Sequence, residues 1–180
     1  MKLMIASDIH GSEYYCKKLL DRFETEKPDK LLLLGDILYH GPRNDLPRDY
    51  NPKSVITLLN GIKEKLLCVR GNCDTEVDQM VLEFPVLADY SLIYADGCTV
   101  YATHGHHIDS LLEGCLTEGS IVLAGHTHVP ACEDRGGYIY INPGSVSIPK
   151  ENSHHGYILL ENGRFIWKDL EGNIIKEYQI

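Results

Sequence analysis

The sequence predicts an α/β fold, a layered sheet or sandwich with helices on its outer faces. Two observations carry this. The first half alternates short apolar strands with amphipathic helices, the order of a βαβαβ unit, and the second half replaces helices with glycine-marked hairpins. A third observation bounds the domain count. No linker, repeat or low-complexity tract interrupts the 180 residues, so residues 1–180 read as one domain.

Residues 2–6 form a short apolar strand. A helix follows over 12–25, because Tyr15, Leu19 and Phe23 recur at helical spacing and Ser12 stands as an N-cap. Residues 30–34, rich in leucine, form a second buried strand. A loop from His40 to Tyr50 contains two prolines. Asn51 and Pro52 then open a second helix as N-cap and first helical residue, with Val55, Ile56, Leu59 and Ile62 facing inward. Residues 66–70 are the third strand. Asp96-Gly97 lies between SLIY and CTVYAT, a strong hairpin signal. Arg135-Gly136-Gly137 separates ACED from YIYI, Asn162-Gly163 separates YILL from RFIW, and Gly172-Asn173 precedes the last strand.

A net charge of −9 and the lack of any Lys/Arg block exclude long nucleic acid as a bulk partner, since such binding depends on neutralising phosphates. The first apolar run meets Asp8 too soon for a signal segment, and no run approaches the ~20 apolar residues of a membrane span. The six cysteines form no CxxC pair, which predicts reduced thiols in a cytoplasmic protein.

Five apolar runs each lead into a side chain able to ligate a metal. LMIAS runs into Asp8 and His10, LLLLG into Asp36, LLCVRG into Asn72, TVYAT into His104, and IVLAG into His126 and His128. The carboxyl ends of strands line the crevice of an open α/β sheet, so these residues are expected to converge. Asp8 and His10 are two apart, and in an extended segment both face one side. His126 and His128 repeat that strand spacing. Asn72 offers an amide oxygen to a hard cation without adding charge. Asp36, at the end of a buried strand, needs a partner for its charge: either it caps a helix, or it bridges two metals.

Each signal alone has a plain alternative: a polar turn at Asp8 and His10, a turn at Gly71-Asn72, a structural His104, two partly exposed turn histidines at 126 and 128. Their occurrence in order, each at a strand end, favours metal. Seven O and N ligands exceed one four-coordinate site. They suit two divalent cations sharing one carboxylate, and such ions, roughly 3.5–4 Å apart, clamp the attacking and leaving oxygens at phosphorus. Two divalent cations outweigh two aspartates, so the site attracts phosphate despite the acidic chain. His40, His106 and His107 fall close enough to be candidates for substrate contact, and His154 and His155 are expected at the surface.

D-x-H, G-D, G-N-C-D, H-G and G-H-T-H, in this order, resemble the calcineurin-like metallophosphoesterase family. HGPRN at His40–Asn44, RGNCDTEVDQM at Arg70–Met80, THGH at Thr103–His106 and NPGSVSIPK at Asn142–Lys150 are similar, more narrowly, to its YfcE-type phosphodiesterase group. The resemblance runs from residue 3 to about residue 158. It implies a four-layer α/β/β/α sandwich of two mixed sheets. It implies one ion held by Asp8, His10, Asp36 and His128, and a second held by Asp36, Asn72, His104 and His126, with Asp36 bridging. Manganese is the implied ion, and the donor set also suits zinc, iron or nickel.

The implied activity is hydrolysis of small phosphodiesters by a two-metal-activated hydroxide. Asn72, Cys73, Asp74 and His104 are the implied catalytic residues, with Cys73 and Asp74 on the leaving-group side and Asp74 also placed to orient its neighbours. Most members of the broad family carry His where this chain has Cys73, whereas the narrower group carries Cys. A homo-oligomer is compatible with this reading. A cysteine hydrolase built on Cys73 and His104 leaves five of the seven ligands without a role. A non-catalytic interaction scaffold, as a retromer subunit of this fold is, is expected to depart from the ligand set, which here stands complete.

Overall fold

The structure, a computed structural model, describes residues 1–95, 97–112 and 114–180. The chain opens as β1 (Leu3–Ala6), α1 (Glu13–Glu26), β2 (Lys30–Leu33), α2 (Pro52–Asn60) and β3 (Leu66–Cys68). β1, β2 and β3 pair in parallel, so the βαβαβ reading holds. Ser12 accepts a hydrogen bond from the Tyr15 amide at 3.3 Å, and Asn51 accepts one from the Ser54 amide at 3.3 Å; each is an N-cap. α2 stops before Ile62, which follows Gly61 and still packs on the core. β3 is shorter than the predicted 66–70 because the Arg70 amide leaves the ladder for Ala88 O, at 2.8 Å.

The remaining elements are α3 (Glu76–Gln79), β4 (Tyr90–Ala95), β5 (Cys98–Thr103), α4 (Ile108–Leu112), β6 (Ser120–Leu123), β7 (Pro130–Asp134), β8 (Tyr138–Pro143), β9 (Gly156–Glu161), β10 (Arg164–Asp169) and β11 (Ile174–Gln179). The hairpins β4–β5, β7–β8, β9–β10 and β10–β11 are all antiparallel, as their turn residues predict. Asp96, half of the first turn signal, lies outside the described residues. β5 pairs with β6, and β6 with β8, in parallel, so the second half is not a pure meander.

Two mixed sheets result among the described residues, one ordered β11-β10-β9-β1-β2-β3 and the other β4-β5-β6-β8-β7. Alternate residues of β1 and β2 feed two separate cores. Met4, Ala6, Leu31 and Leu33 join Leu19 and Phe23 of α1 and Val55 and Leu59 of α2. Leu3, Ile5 and Leu32 join Val100, Ala102, Ile121 and Ile141 of the opposite sheet. Burial on both faces explains why these strands read as continuous apolar runs rather than alternating ones. The parallel β5–β6 crossover carries α4 and must run over the face of its sheet turned away from the first. The architecture is therefore the four-layer α/β/β/α sandwich, with a reduced second helical layer. All six cysteines are free thiols. Among the described residues no helix is long and apolar enough to cross a membrane.

Leu32 and Leu67 are register partners, yet Leu32 is fully buried and Leu67, on the edge strand, is 37% exposed. Leu32→Ala is expected to cost about 2–5 kcal/mol of unfolding free energy by cavity formation. Leu67→Ala should cost about 1 kcal/mol or less. Urea denaturation of the two variants against wild type measures both.

Candidate metal centre

The carboxyl ends of β1, β2 and β3 in one sheet and β5 and β6 in the other meet at one crevice. The Asp8 loop is zipped to the Asp36 loop by backbone bonds from Asp8 N to Gly35 O (3.1 Å) and from His10 N to Asp36 O (2.9 Å). The second sheet joins through His126 N, which donates to Asp8 Oδ2 at 3.0 Å, and through the His104 ring, whose Nδ1 lies 2.7 Å from Leu34 O. Asp8, His10, Asp36, His104 and His128 are buried, while Asn72 is exposed and His126 half-buried.

The way Asp8 and His10 reach one place differs from the sequence expectation. The segment is not extended. Asp8 and His10 have φ of 60° and 50°, Asp36 55°, and His126 and His128 66° and 63°. Left-handed residues two apart, separated by one ordinary residue, aim their side chains into the crevice. Five of the seven expected ligands therefore sit in a backbone region costly for residues other than glycine.

Three imidazoles are anchored from behind. His10 Nδ1 lies 2.7 Å from Tyr39 O, His104 Nδ1 2.7 Å from Leu34 O, and His128 Nδ1 2.6 Å from Ile148 O. A carbonyl accepts, so each Nδ1 carries the proton and each Nε2 presents a lone pair to the crevice. The Nε2 atoms of His10 and His128 then face each other at 3.2 Å. Both also face Asp8 Oδ1, at 3.4 and 3.2 Å, and this buried oxygen makes no hydrogen bond. Lone pairs converging on an orphaned carboxylate oxygen demand a positive charge between them.

Asp36 Oδ2 stands 3.7 Å from His10 Nε2 and 3.5 Å from His104 Nε2, and His104 Nε2 is 3.0 Å from Asn72 Oδ1. Three donor triads, Asp8–His10–His128, Asp8–Asp36–His104 and His10–Asp36–Cys73, each gather within 4.8 Å. Without a cation, protons take its place. Burial disfavours the charge on Asp8, but His10 and His128 hold its carboxyl well below the usual range. Burial likewise opposes protonation of His104, but Asp36 and Asp8 raise it to about 9. The donor chemistry fits divalent metal.

Comparison with known proteins agrees. The family model of the calcineurin-like phosphoesterase superfamily domain matches residues 1–163. The chain is 44% identical to phosphodiesterase YfcE of Escherichia coli over 162 residues, covering 90% of this chain and 88% of that one. It is 26% identical to phosphodiesterase MJ0936 of Methanocaldococcus jannaschii over 152 residues, covering 80% and 83%. The chain belongs to the calcineurin-like phosphoesterase superfamily. The solved structure of the E. coli YfcE phosphoesterase superposes with a TM-score of 0.93 at 42% identity over the whole of both chains. Wild-type Vps29 from Entamoeba histolytica, complexed with Zn²⁺, superposes at 0.65 with 19% identity, covering 99% and 98%, a likeness of fold alone. Membership of this metallophosphoesterase family implies divalent metal ions, and the crevice supplies a cluster able to hold them.

Two supports of this phosphoesterase site stand behind the ligands. The first is Asp74. Its carboxylate is buried and accepts from the backbone amides of Asp36 (2.8 Å), Ile37 (2.9 Å) and Gly71 (2.7 Å). It thereby ties the Asp36 loop to the Asn72 loop and orients both. The second is the segment after β8. Ser145 Oγ and Ser147 Oγ both donate to Asp8 O, at 2.9 and 3.0 Å, and Asn142 Nδ2 donates to Gly125 O at 2.7 Å. This segment braces the Asp8 and His126 loops together, and its Ile148 carbonyl anchors His128.

A cleft of about 450 Å³ opens on the ligands, lined by Asp36, Asn72, Cys73 and His126 among others. Cys73 donates its amide to Asp36 Oδ1 at 2.9 Å, and its thiol accepts from Asn72 Nδ2 at 3.2 Å. Burial, and after it Asp36, push that thiol well above its ordinary pKa. A larger cavity of about 690 Å³ lies at the β7–β8 hairpin, but its lining holds neither histidine nor cysteine. His106 lies tilted beside His104, ring centroids 5.4 Å apart, while His107 is exposed and His40 packs edge-on against Tyr39 and Tyr50. His154 and His155, expected at the surface, are half-buried. His155 stacks on Tyr15 at 4.0 Å and bonds Val146 O, so it belongs to the packing between α1 and the Ser145 segment.

Asp74→Asn tests the first support. The amide keeps one acceptor oxygen and turns an NH₂ toward a backbone N–H. The loss expected is about 1–3 kcal/mol of stability, together with weaker metal binding. Thermal melts of the metal-free protein, and Mn²⁺ titration of protein verified as folded, measure the two effects separately.

Proposed function

We propose that the chain is a phosphodiesterase that hydrolyses small phosphodiesters at a binuclear centre, one ion held by Asp8, His10, Asp36 and His128 and the other by Asp36, Asn72, His104 and His126. The carrying observation is that one oxygen of Asp36 faces His10 on one side and His104 on the other. When bound, the two ions supply Lewis-acid charge at phosphorus and acidify the attacking water. The protein's own groups set the geometry. Asp36 fixes the spacing of the two donor sets. The carbonyls of Tyr39, Leu34 and Ile148 hold the imidazoles in the ligating tautomer. Asn72 Oδ1, beside His104, offers a neutral oxygen at the open face of the cleft.

Manganese is the ion we assign, in line with the mixed oxygen and imidazole donors. Long nucleic acid is an unsuitable substrate for a chain of net charge −9 with no basic stripe. A cytoplasmic setting suits six free thiols. The cysteine-hydrolase alternative needs His104 as the base of Cys73, and that thiol is hydrogen-bonded instead to the Asn72 amide while His104 Nε2 faces Asn72 and Asp36.

Asp36→Ala is expected to abolish turnover and remove metal more completely than any other single ligand change. Metal content by mass spectrometry and bis(p-nitrophenyl) phosphate hydrolysis across the seven alanine variants check this. Retention of both metals and a near-normal rate in Asp36→Ala contradicts the bridging role.

Cys73 should limit leaving-group protonation without forming a covalent bond to substrate. A thiol held above its ordinary pKa is a poor acid, whereas an imidazolium titrates near neutrality. Cys73→His should raise rates selectively for alkyl phosphodiesters, and Cys73→Ser should keep substantial nitrophenyl turnover. The measurement is the dependence of rate on leaving-group pKa in the three proteins. Complete loss of nitrophenyl turnover in Cys73→Ser with metal retained would sink the account.

A further inference from the structure

Two of the sequence motifs have no part in ligation, HGPRN and NPGSVSIPK, and both reach the wall of the cleft. HGPRN contributes Gly41 through Asn44, and NPGSVSIPK contributes Lys150. Each motif is tied to the ligand cluster. Lys150 N donates to His128 O at 3.1 Å, so its side chain starts one backbone bond from an expected ligand. On the other motif, Asn44 Nδ2 closes the loop onto His40 O at 2.8 Å. A Cβ at Gly41 would stand 3.5 Å from Cys73 Sγ, which brings the loop bearing Arg43 against the Asn72–Cys73 turn.

The two cations these motifs supply are exposed, and among the described residues neither Arg43 nor Lys150 has an ion-pair partner. Many surface cations of the chain sit against a carboxylate instead. Lys17 meets Glu13, Lys63 meets Glu83, Arg135 meets Glu133 and Arg164 meets Glu177. With 26 acidic residues against 17 basic ones, a carboxylate is easily found for a surface cation. What sets Arg43 and Lys150 apart is their place: both line the cleft that opens on the ligand cluster, and neither is neutralised there by a carboxylate ion pair.

A phosphodiester carries a single negative charge, which the ligand cluster meets. Arg43 and Lys150 are additional to that need. We propose that they are specificity-determining residues for a second anionic group, a phosphate or carboxylate borne on the substituent of the phosphodiester that is not the leaving group. Arg43 offers a planar fork suited to either oxyanion, and Lys150 a point charge on a flexible stem. The inference rests on the phosphodiesterase reading and narrows its substrate class.

Four p-nitrophenyl phosphodiesters test it, with the leaving group constant and second substituents of similar length: propyl, 2-carboxyethyl, 2-phosphorylethyl and choline. The quantity is kcat/KM for each anionic ester relative to the propyl ester, with the Mn²⁺-loaded full chain at low ionic strength. The wild-type ratio should be about ten or more, carried mainly by KM, and should shrink as salt screens the interaction. Arg43→Gln and Lys150→Gln should each reduce the ratio about three-fold, and together bring it near one. Arg43→Glu with Lys150→Glu should invert the order in favour of the choline ester. The higher of the two anionic esters identifies the oxyanion, and either one leading supports the proposal. A wild-type ratio at or below one, or a ratio unchanged in the double Gln variant, overturns it while leaving the phosphodiesterase reading intact. Failure of wild type to hydrolyse any of the four esters removes that reading and the inference with it.

Discussion

Two carboxylates, Asp8 and Asp36, are buried where the two sheets meet, and the surrounding structure is organised by the need to neutralise them. An uncompensated buried carboxylate is among the most costly groups a fold can hold. Each is faced by imidazole nitrogens whose far sides are pinned to carbonyls of different segments: Tyr39 after β2, Leu34 at the end of β2, and Ile148 after β8. The consequence is a cluster that reaches neutrality only with an added positive charge. In the absence of metal, protons favoured on His104, whose pKa is raised to about 9, and on His10, where burial is outweighed by Asp8, supply that charge. Metal and proton thus compete for the same lone pairs, which makes cation binding a property of the fold rather than of any one ligand.

Holding such a cluster requires backbone that is unfavourable by itself. Each left-handed residue other than glycine costs of order 1–3 kcal/mol, and five of the expected ligands are of this kind. The loops offset this cost by bonding to one another. Asp8 and Asp36 are joined through their backbones, Asp36 and Asn72 through the Asp74 carboxylate, and Asp8 and His128 through the Ser145–Ile148 segment. Close approach is part of the device. A Cβ at Gly125 would lie 1.9 Å from Ser7 Oγ, and one at Gly71 2.1 Å from Asp36 Oδ1. Glycine at these two positions lets the loops of opposite sheets, and of neighbouring strands, come within hydrogen-bonding reach.

How much of this was legible in the sequence follows from the range of each interaction. The strands were readable because burial on both faces leaves an unbroken apolar run, and the helix starts because Ser12 and Asn51 act within one turn. The convergence of the ligands was readable because strand ends share an edge. The route by which Asp8 and His10 converge was not, since alternation in a strand and alternation of left-handed residues give the same spacing of two. An orienting role was open to Asp74, but the groups it orients were hidden. Its partners lie nearly forty positions away in two cases, and its position beside Cys73 suggests the cleft rather than the backbone beneath it. Ser145 and Ser147 act across more than 130 positions of chain, a distance over which no local pattern carries information.

The fold by itself does not decide between a hydrolase and an interaction scaffold, since one fold hosts many functions. The energetics of the crevice do bear on the question. Replacing a buried charged cluster by apolar side chains of similar volume is often neutral or stabilising. A surface used only for docking gains nothing from orphaned Asp8 Oδ1, from two opposed imidazole lone pairs at 3.2 Å, or from strained loops braced to keep them there. Those features are useful where a cation must be held with an open side toward a substrate. The cleft supplies that open side, and Arg43 and Lys150 on its wall add positive charge to an acidic chain. Ligand cluster, brace and cleft wall are consistent with one another only if an anion is meant to enter, which is why the enzymatic reading stands ahead of the scaffold.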